Sequence, residues 1–183
     1  MKDSCEQINQ AFISKISKVR DGHQAWAMKY EHLITHAVTL TFDVQRLWRT
    51  LQKWNCAKTL NHPEVLELLH GSMRSFKWKL DKSLYGNKRG RLFFVPILEG
   101  LRYGEKPHYH CLLGVDEDRS EVVESKIKSI WQDCPFGGRQ VVVKPYRDCG
   151  WVGYTTKNAL FVNRESIDWM NVLLPTQSPV IAE

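Results

Sequence analysis

The chain has no window of ~18 consecutive apolar residues, the length that a membrane-spanning helix requires, so a helical membrane protein is excluded. Its first thirty residues scatter charges and hold no apolar block of the kind a secretory leader carries, so a cytoplasmic protein is expected. No CxxC pair is present. The five cysteines, Cys5, Cys56, Cys111, Cys134 and Cys149, are odd in number and widely spaced. That pattern argues against a disulfide framework and against a cysteine-rich zinc site, so free thiols are expected. There is no GxxxxGK loop to cradle a nucleoside triphosphate, no internal repeat and no low-complexity segment. What is present is 183 residues with 43% hydrophobic and 11% aromatic content, the composition of one compact globular domain. Lys and Arg number 26 against 20 Asp and Glu, and the net charge of +6 permits nucleic-acid binding without demanding it.

Periodicity orders the elements. Ile8, Phe12, Ile16 and Val19 recur at helical spacing, predicting an amphipathic N-terminal helical extension over residues 1–30. Residues 36–42 alternate apolar Val38, Leu40 and Phe42 with small polar residues, the signature of a half-buried strand. Asp43 can cap a helix carrying Leu47, Leu51 and Trp54, and His62-Pro63-Glu64 opens a longer helix with Val65, Leu69, Met73, Phe76 and Leu80 on one side. Leu92 to Glu99 is an apolar strand whose Pro96 suggests an edge or a bulge, and residues 108–113 form its hairpin partner across a glycine-bearing loop. A helix over 121–131, a break at 135–138, a strand over 140–144 and a short helix within 150–160 complete the domain. Residues 166–183 read as a tail, frayed from Pro175 onward. Strands separated by long helices predict an α+β fold, a mainly antiparallel sheet with helices packed on one face.

Three features carry chemistry. In His108-Tyr109-His110 the two imidazoles project from the same face of a strand, about 6 to 7 Å apart, where they can share one metal ion. With seven histidines in the chain such a triplet arises readily by chance, so its weight depends on a third ligand. Glu99, which hairpin pairing can bring beside the pair, is that candidate, and a solvated strand-end acid is its ordinary alternative. Two imidazoles and a carboxylate leave coordination positions open, which suits a divalent cation gripping a phosphate. Tyr154 and Lys157 form the second feature, a phenol and an ammonium one helical turn apart. Tyr85 and Tyr103 share the YxxK spelling, but each is followed by glycine in a turn-like segment. The third is a basic run containing Arg74, Lys77, Lys79, Lys82, Lys88, Arg89 and Arg91 against the single acid Asp81. Phe76, Trp78 and Tyr85 interleave with it, a pattern that suits single-stranded nucleic acid or, equally, a solvated helix face. Lys144 and Arg147 make a smaller cluster just before Tyr154.

In order along the chain, residues 38–42 (Val-Thr-Leu-Thr-Phe), 107–113 (Pro-His-Tyr-His-Cys-Leu-Leu) and 154–157 (Tyr-Thr-Thr-Lys) resemble the three motifs of the HUH endonuclease superfamily. The likeness covers roughly residues 35 to 160, and one tyrosine after the histidine pair is similar to the single-tyrosine rolling-circle replication initiators. Residues 104–113 also resemble a replication-protein group of filamentous phages. Tyr109 departs from the family's aliphatic middle residue. The resemblance implies an RRM-like or ferredoxin-like sheet of about five strands in a domain spanning residues 31–165. It implies that His108, His110 and Glu99 hold Mg²⁺ or Mn²⁺, that Tyr154 attacks a scissile phosphate and that Lys157 balances charge there. It further implies single-stranded DNA at an origin or hairpin as the substrate, with the basic residues along its path, and a helicase and polymerase supplied by the host. Conjugative relaxases, with the same chemistry, place their tyrosine ahead of the histidine pair, so Tyr30 is the reserve nucleophile. A non-catalytic basic nucleic-acid-binding module, a transposase or a metal-dependent hydrolase remains open on the sequence.

Overall fold

The structure, a computed structural model, describes residues 17–18, 20–53, 59–60, 62–87, 90–101, 104–156 and 167–175. Helix α1 covers residues 20–28; the apolar residues Ile8, Phe12, Ile16 and Val19 of the predicted N-terminal helix lie outside the described residues. Strand β1 (His36–Phe42) follows the alternation of its sequence. Helix α2 (Val44–Lys53) starts at the expected cap, where Asp43 Oδ1 accepts a hydrogen bond from the Arg46 backbone amide at 2.9 Å. The His62 ring accepts from the Glu64 amide ahead of Pro63, opening α3 (Pro63–Tyr85). Strands β2 (Phe93–Glu99) and β3 (His108–Gly114), helix α4 (Ser120–Gln132), strand β4 (Gly137–Pro145) and helix α5 (Gly150–Thr156) complete the order. Strand β4 begins inside the segment expected to break the chain, because Gly138 has no side chain. A Cβ there would lie 2.6 Å from the Thr41 carbonyl oxygen.

The described residues form one antiparallel four-stranded sheet in the order β2-β3-β1-β4, with the expected β2–β3 hairpin at one side. Four strands replace the five implied by the resemblance, and the C-terminal segment shows the reason. It reaches the open edge of β2 through two isolated bridges, Phe94 with Leu173 and Ile97 with Ile167. Between them a 3-10 turn over Trp169–Asn171 lifts the backbone away, so the ladder cannot propagate. Pro96, which has no amide hydrogen to donate, sits on this edge strand, and its carbonyl accepts from the Asp168 amide at 2.9 Å.

The sheet has two dissimilar faces. On one, Val38, Leu40, Tyr109, Cys111 and Leu113 pack under α2, α3 and α4 through Leu47, Leu69, Phe76 and Trp131, all buried. Each such side chain contributes about 1.5–3 kcal/mol through removal from water. On the other face Phe93, Val95, Ile97 and Leu112 pack under Ala27 of α1, Val152 of α5 and Ile167, so helices are not confined to one face as expected. At the opposite end of this second face the sheet carries a polar row, Glu99, His108 and Thr41.

Beneath that row, on the first face, Tyr109 joins a buried polar network. Its hydroxyl donates to Asp168 Oδ2 at 2.9 Å, and the same oxygen lies 2.8 Å from His70 Nδ1 and accepts from Asn171 Nδ2 at 2.7 Å. Burial, followed by the Asp168 charge, pushes the Tyr109 phenol well above its ordinary value, so it remains a donor. The network ties β3 to α3 and to the C-terminal segment. Tyr109→Phe is therefore expected to lower the unfolding free energy in urea by about 1–3 kcal/mol. A midpoint and slope identical to wild type would contradict a stabilising role.

Candidate metal centre and neighbouring tyrosine

Strand register assembles the site. Glu99 of β2 lies directly opposite His108 of β3, and Thr41 of β1 faces the same histidine from the other side. Two residues along, His110 lies between Ile97 and Thr39. Directly paired residues in antiparallel strands share a face, so the carboxylate and both imidazoles converge. His108 Nε2 is 3.6 Å and His110 Nε2 3.5 Å from Glu99 Oε2, and one donor atom from each residue lies within 4.8 Å of the others. The Glu99 and His110 side chains are almost fully buried, whereas His108 keeps 27% of its side-chain surface exposed.

The donor set fits a divalent cation. Glu99 Oε1 is buried with no hydrogen-bond partner among the described residues, an arrangement that is costly for a carboxylate unless a cation takes the oxygen. Both rings are held with Nε2 turned inward. His108 Nδ1–H donates to the Lys106 carbonyl at 2.9 Å, which leaves Nε2 as the nitrogen that could ligate a cation. That carbonyl comes close because Gly100, at φ +76°, has no Cβ to collide with it. His110 Nδ1 is 3.0 Å from Thr39 Oγ1, so the same tautomer follows when the hydroxyl accepts.

The Glu99 carboxylate, 3.6 Å from Nε2, raises the His108 pKa above its usual 6.5, against the lowering effect of burial. In the metal-free protein this contribution to stability is full below pH 6.5 and is lost as pH rises through the raised value. A cation would compete with a proton for the same Nε2, so metal binding there would strengthen over that rise.

Tyr154 lies on α5, 46% exposed, with its ring 5.7 Å from the His110 ring in an edge-to-face arrangement. Trp151, three residues earlier, stacks on Tyr154 at 5.5 Å and 20° and meets His110 edge-on at 5.4 Å. Lys157 lies outside the described residues. Tyr85 and Tyr30 lie away from the triad. Tyr85 ends α3 on the far face, where its hydroxyl accepts from the Asp116 amide at 3.2 Å. Tyr30 rests 5.8 Å from Phe93, at the opposite end of β2 from Glu99, and Tyr103 lies outside the described residues.

The described residues of the basic run lie away from the triad. Arg74, Lys77 and Lys79 belong to α3, which covers the far face of the sheet. Arg74 pairs with Glu67 at 3.5 Å, Lys79 with Asp133 at 2.5 Å and Arg91 with Asp116 at 2.7 Å. Burial lowers the Lys77 pKa. Lys88 and Arg89 lie outside the described residues. Lys144, by contrast, pairs with Ala37 on the triad's own face, and Arg147 follows β4 close by. Thr39, the Lys106 carbonyl and Trp151 were not singled out from the sequence. Trp151 had a readable signal, its spacing of three from Tyr154 on a predicted helix. The other two depend on strand register and loop closure. No known protein family, curated protein or solved structure was found to match the chain.

Thr39→Val removes the hydroxyl that orients His110 and is expected to weaken Mn²⁺ binding by about 10-fold in calorimetric titration. Wild-type affinity is expected to be higher near pH 8 than near pH 6. Equal affinity at the two pH values, or in the two proteins, would argue against ligation through these imidazoles.

Proposed function

We propose that the protein is a metal-dependent single-strand DNA endonuclease of the HUH type, nicking and joining DNA by tyrosine transesterification to initiate rolling-circle replication. The observation that carries this reading is the convergence of Glu99, His108 and His110 with the exposed Tyr154 ring against His110. An α+β fold built on an antiparallel sheet is in keeping with the RRM-like architecture of that superfamily.

A phenol is a weak nucleophile near neutral pH, so the reaction needs the phosphorus activated and the leaving oxygen stabilised. Glu99, His108 and His110 would hold Mg²⁺ or Mn²⁺, which supplies Lewis-acid polarisation of the phosphate when bound. Tyr154 gives its proton to water as its oxygen bonds to phosphorus. The bond from phosphorus to the 3′ oxygen breaks, and that oxygen takes up a proton. The products are a 5′-phosphotyrosine and a free 3′-hydroxyl that a host polymerase can extend. Joining is the same step reversed by a 3′-hydroxyl, so no nucleotide hydrolysis is required. Lys157 would balance the charge that develops on the phosphate. Trp151 positions the phenol by stacking on it.

The test is incubation with mixed-sequence single-stranded DNA and Mn²⁺, followed by a denaturing gel that retains covalent adducts. Wild type is expected to give an adduct, which Tyr154→Phe abolishes and His110→Ala reduces by at least about 100-fold. If Tyr154→Phe cleaves at the wild-type rate, the site instead activates water as a hydrolase. Salt-sensitive binding without any adduct would favour a non-catalytic binding module.

A further inference from the structure

Beside the triad, on the same face of the sheet, lies a hollow of about 500 Å³ between β1, β4 and α5. Its volume falls in the range that small organic ligands occupy. Ala37 contributes to its floor: this small residue pairs with Lys144 on one side and Leu112 on the other. One step along the same face of β1 is Thr39, the residue that touches His110, so the hollow begins roughly 7 Å along the strand from the Thr39–His110 pair. Trp151 lines the hollow and also meets Tyr154 and His110, which makes it the shared wall between the two sites.

The lining is aromatic and cationic. The Tyr146 hydroxyl donates to Glu31 Oε1 at 3.0 Å, which fixes that ring, and burial raises its pKa so that it stays protonated. Lys144 and Arg147 are exposed and take part in no ion pair among the described residues, unlike Arg74, Lys79 and Arg91 on the far side. The acid in the lining, Asp148, is turned toward its own loop, where Oδ1 accepts from the Gly150 amide at 2.8 Å. An aromatic ring beside uncommitted cations suits a nucleotide, with the base against the ring and the phosphate against the charges.

We infer that this hollow holds a nucleotide neighbouring the scissile phosphate, its base stacked on Trp151 and its phosphate neutralised by Lys144 and Arg147. The inference deepens the nuclease reading and rests on it. It also reassigns the DNA path. The strand runs along β4 and α5 on the triad face, not along the basic helix α3.

Fluorescence anisotropy with two labelled probes tests it: a decathymidylate, and a ten-unit abasic deoxyribose-phosphate oligomer of the same charge. Trp151→Ala is expected to weaken the decathymidylate at least about 5-fold and to leave the abasic oligomer unchanged. Trp151→Phe, which keeps a ring, should retain most of the affinity and guards against a folding defect in the alanine variant. Lys144→Gln and Arg147→Gln should each weaken both probes and reduce the salt slope by about 0.7. Lys79→Gln should change neither. The inference is overturned if Trp151→Ala and Trp151→Phe bind decathymidylate like wild type, or if only the α3 cations matter. Its failure is separable from failure of the nuclease reading. An adduct from wild type together with an indifferent Trp151 removes the hollow alone, whereas Trp151-dependent binding with no adduct keeps the hollow and removes the nicking chemistry.

Discussion

The register of β3 between β1 and β2 is the constraint on which the rest of the molecule depends. Because side chains alternate across a sheet, a slip of one residue would turn His108 and His110 toward the α3 side and bring Tyr109 out beside Glu99. Several contacts oppose that slip. Tyr109 is buried beside Leu40 and anchored through Asp168. The Trp131 indole N–H donates to the Thr41 carbonyl at 2.8 Å, pinning the end of β1 nearest the site. On the β2 side, the close approach of Lys106 to Gly100 sets the loop that returns the chain at His108 opposite Glu99. The tyrosine between the histidines is thus a core anchor whose polar end is satisfied from α3 and the C-terminal segment.

A second consequence is the division of labour between the faces. The first face holds most of the apolar core, and two of the cations on α3, Arg74 and Lys79, are paired with acids. The second face combines apolar packing at one end with a buried carboxylate and two imidazoles at the other. Burying Glu99 with one oxygen unpartnered is unfavourable for folding alone, and a bound cation would offset that cost. Helix α5 extends this face by setting Trp151 and Tyr154 against His110.

Much of this was legible in the sequence because it rests on local rules. The alternation around Val38 and Leu40, the cap at Asp43, the proline at the start of α3 and the hairpin joining Glu99 to His108 are all short-range signals, and all appear in the structure. What escaped is long-range. No periodicity shows that residues near Asp168 fold back on β2, or that Thr39 meets His110 across seventy-one residues of chain. Composition drew attention to the basic run of α3, since clustered charge is easy to count. Its apolar face, however, fixes it to the far side of the sheet, where Lys79 pairs with Asp133, an acid brought near by the fold. Lys144 and Arg147 are fewer in number and carry their weight through position beside Trp151.

Glu99, His108 and His110 are proposed to hold one divalent cation beside Tyr154. Pulsed electron paramagnetic resonance of Mn²⁺ added to the 183-residue chain tests this most directly, because coupling to imidazole nitrogen reports ligation itself and does not depend on turnover. The account predicts coupling to two nitrogens in wild type and to one in His108→Ala. Mn²⁺ bound with no nitrogen coupling, or with coupling unchanged in both His108→Ala and His110→Ala, would contradict it.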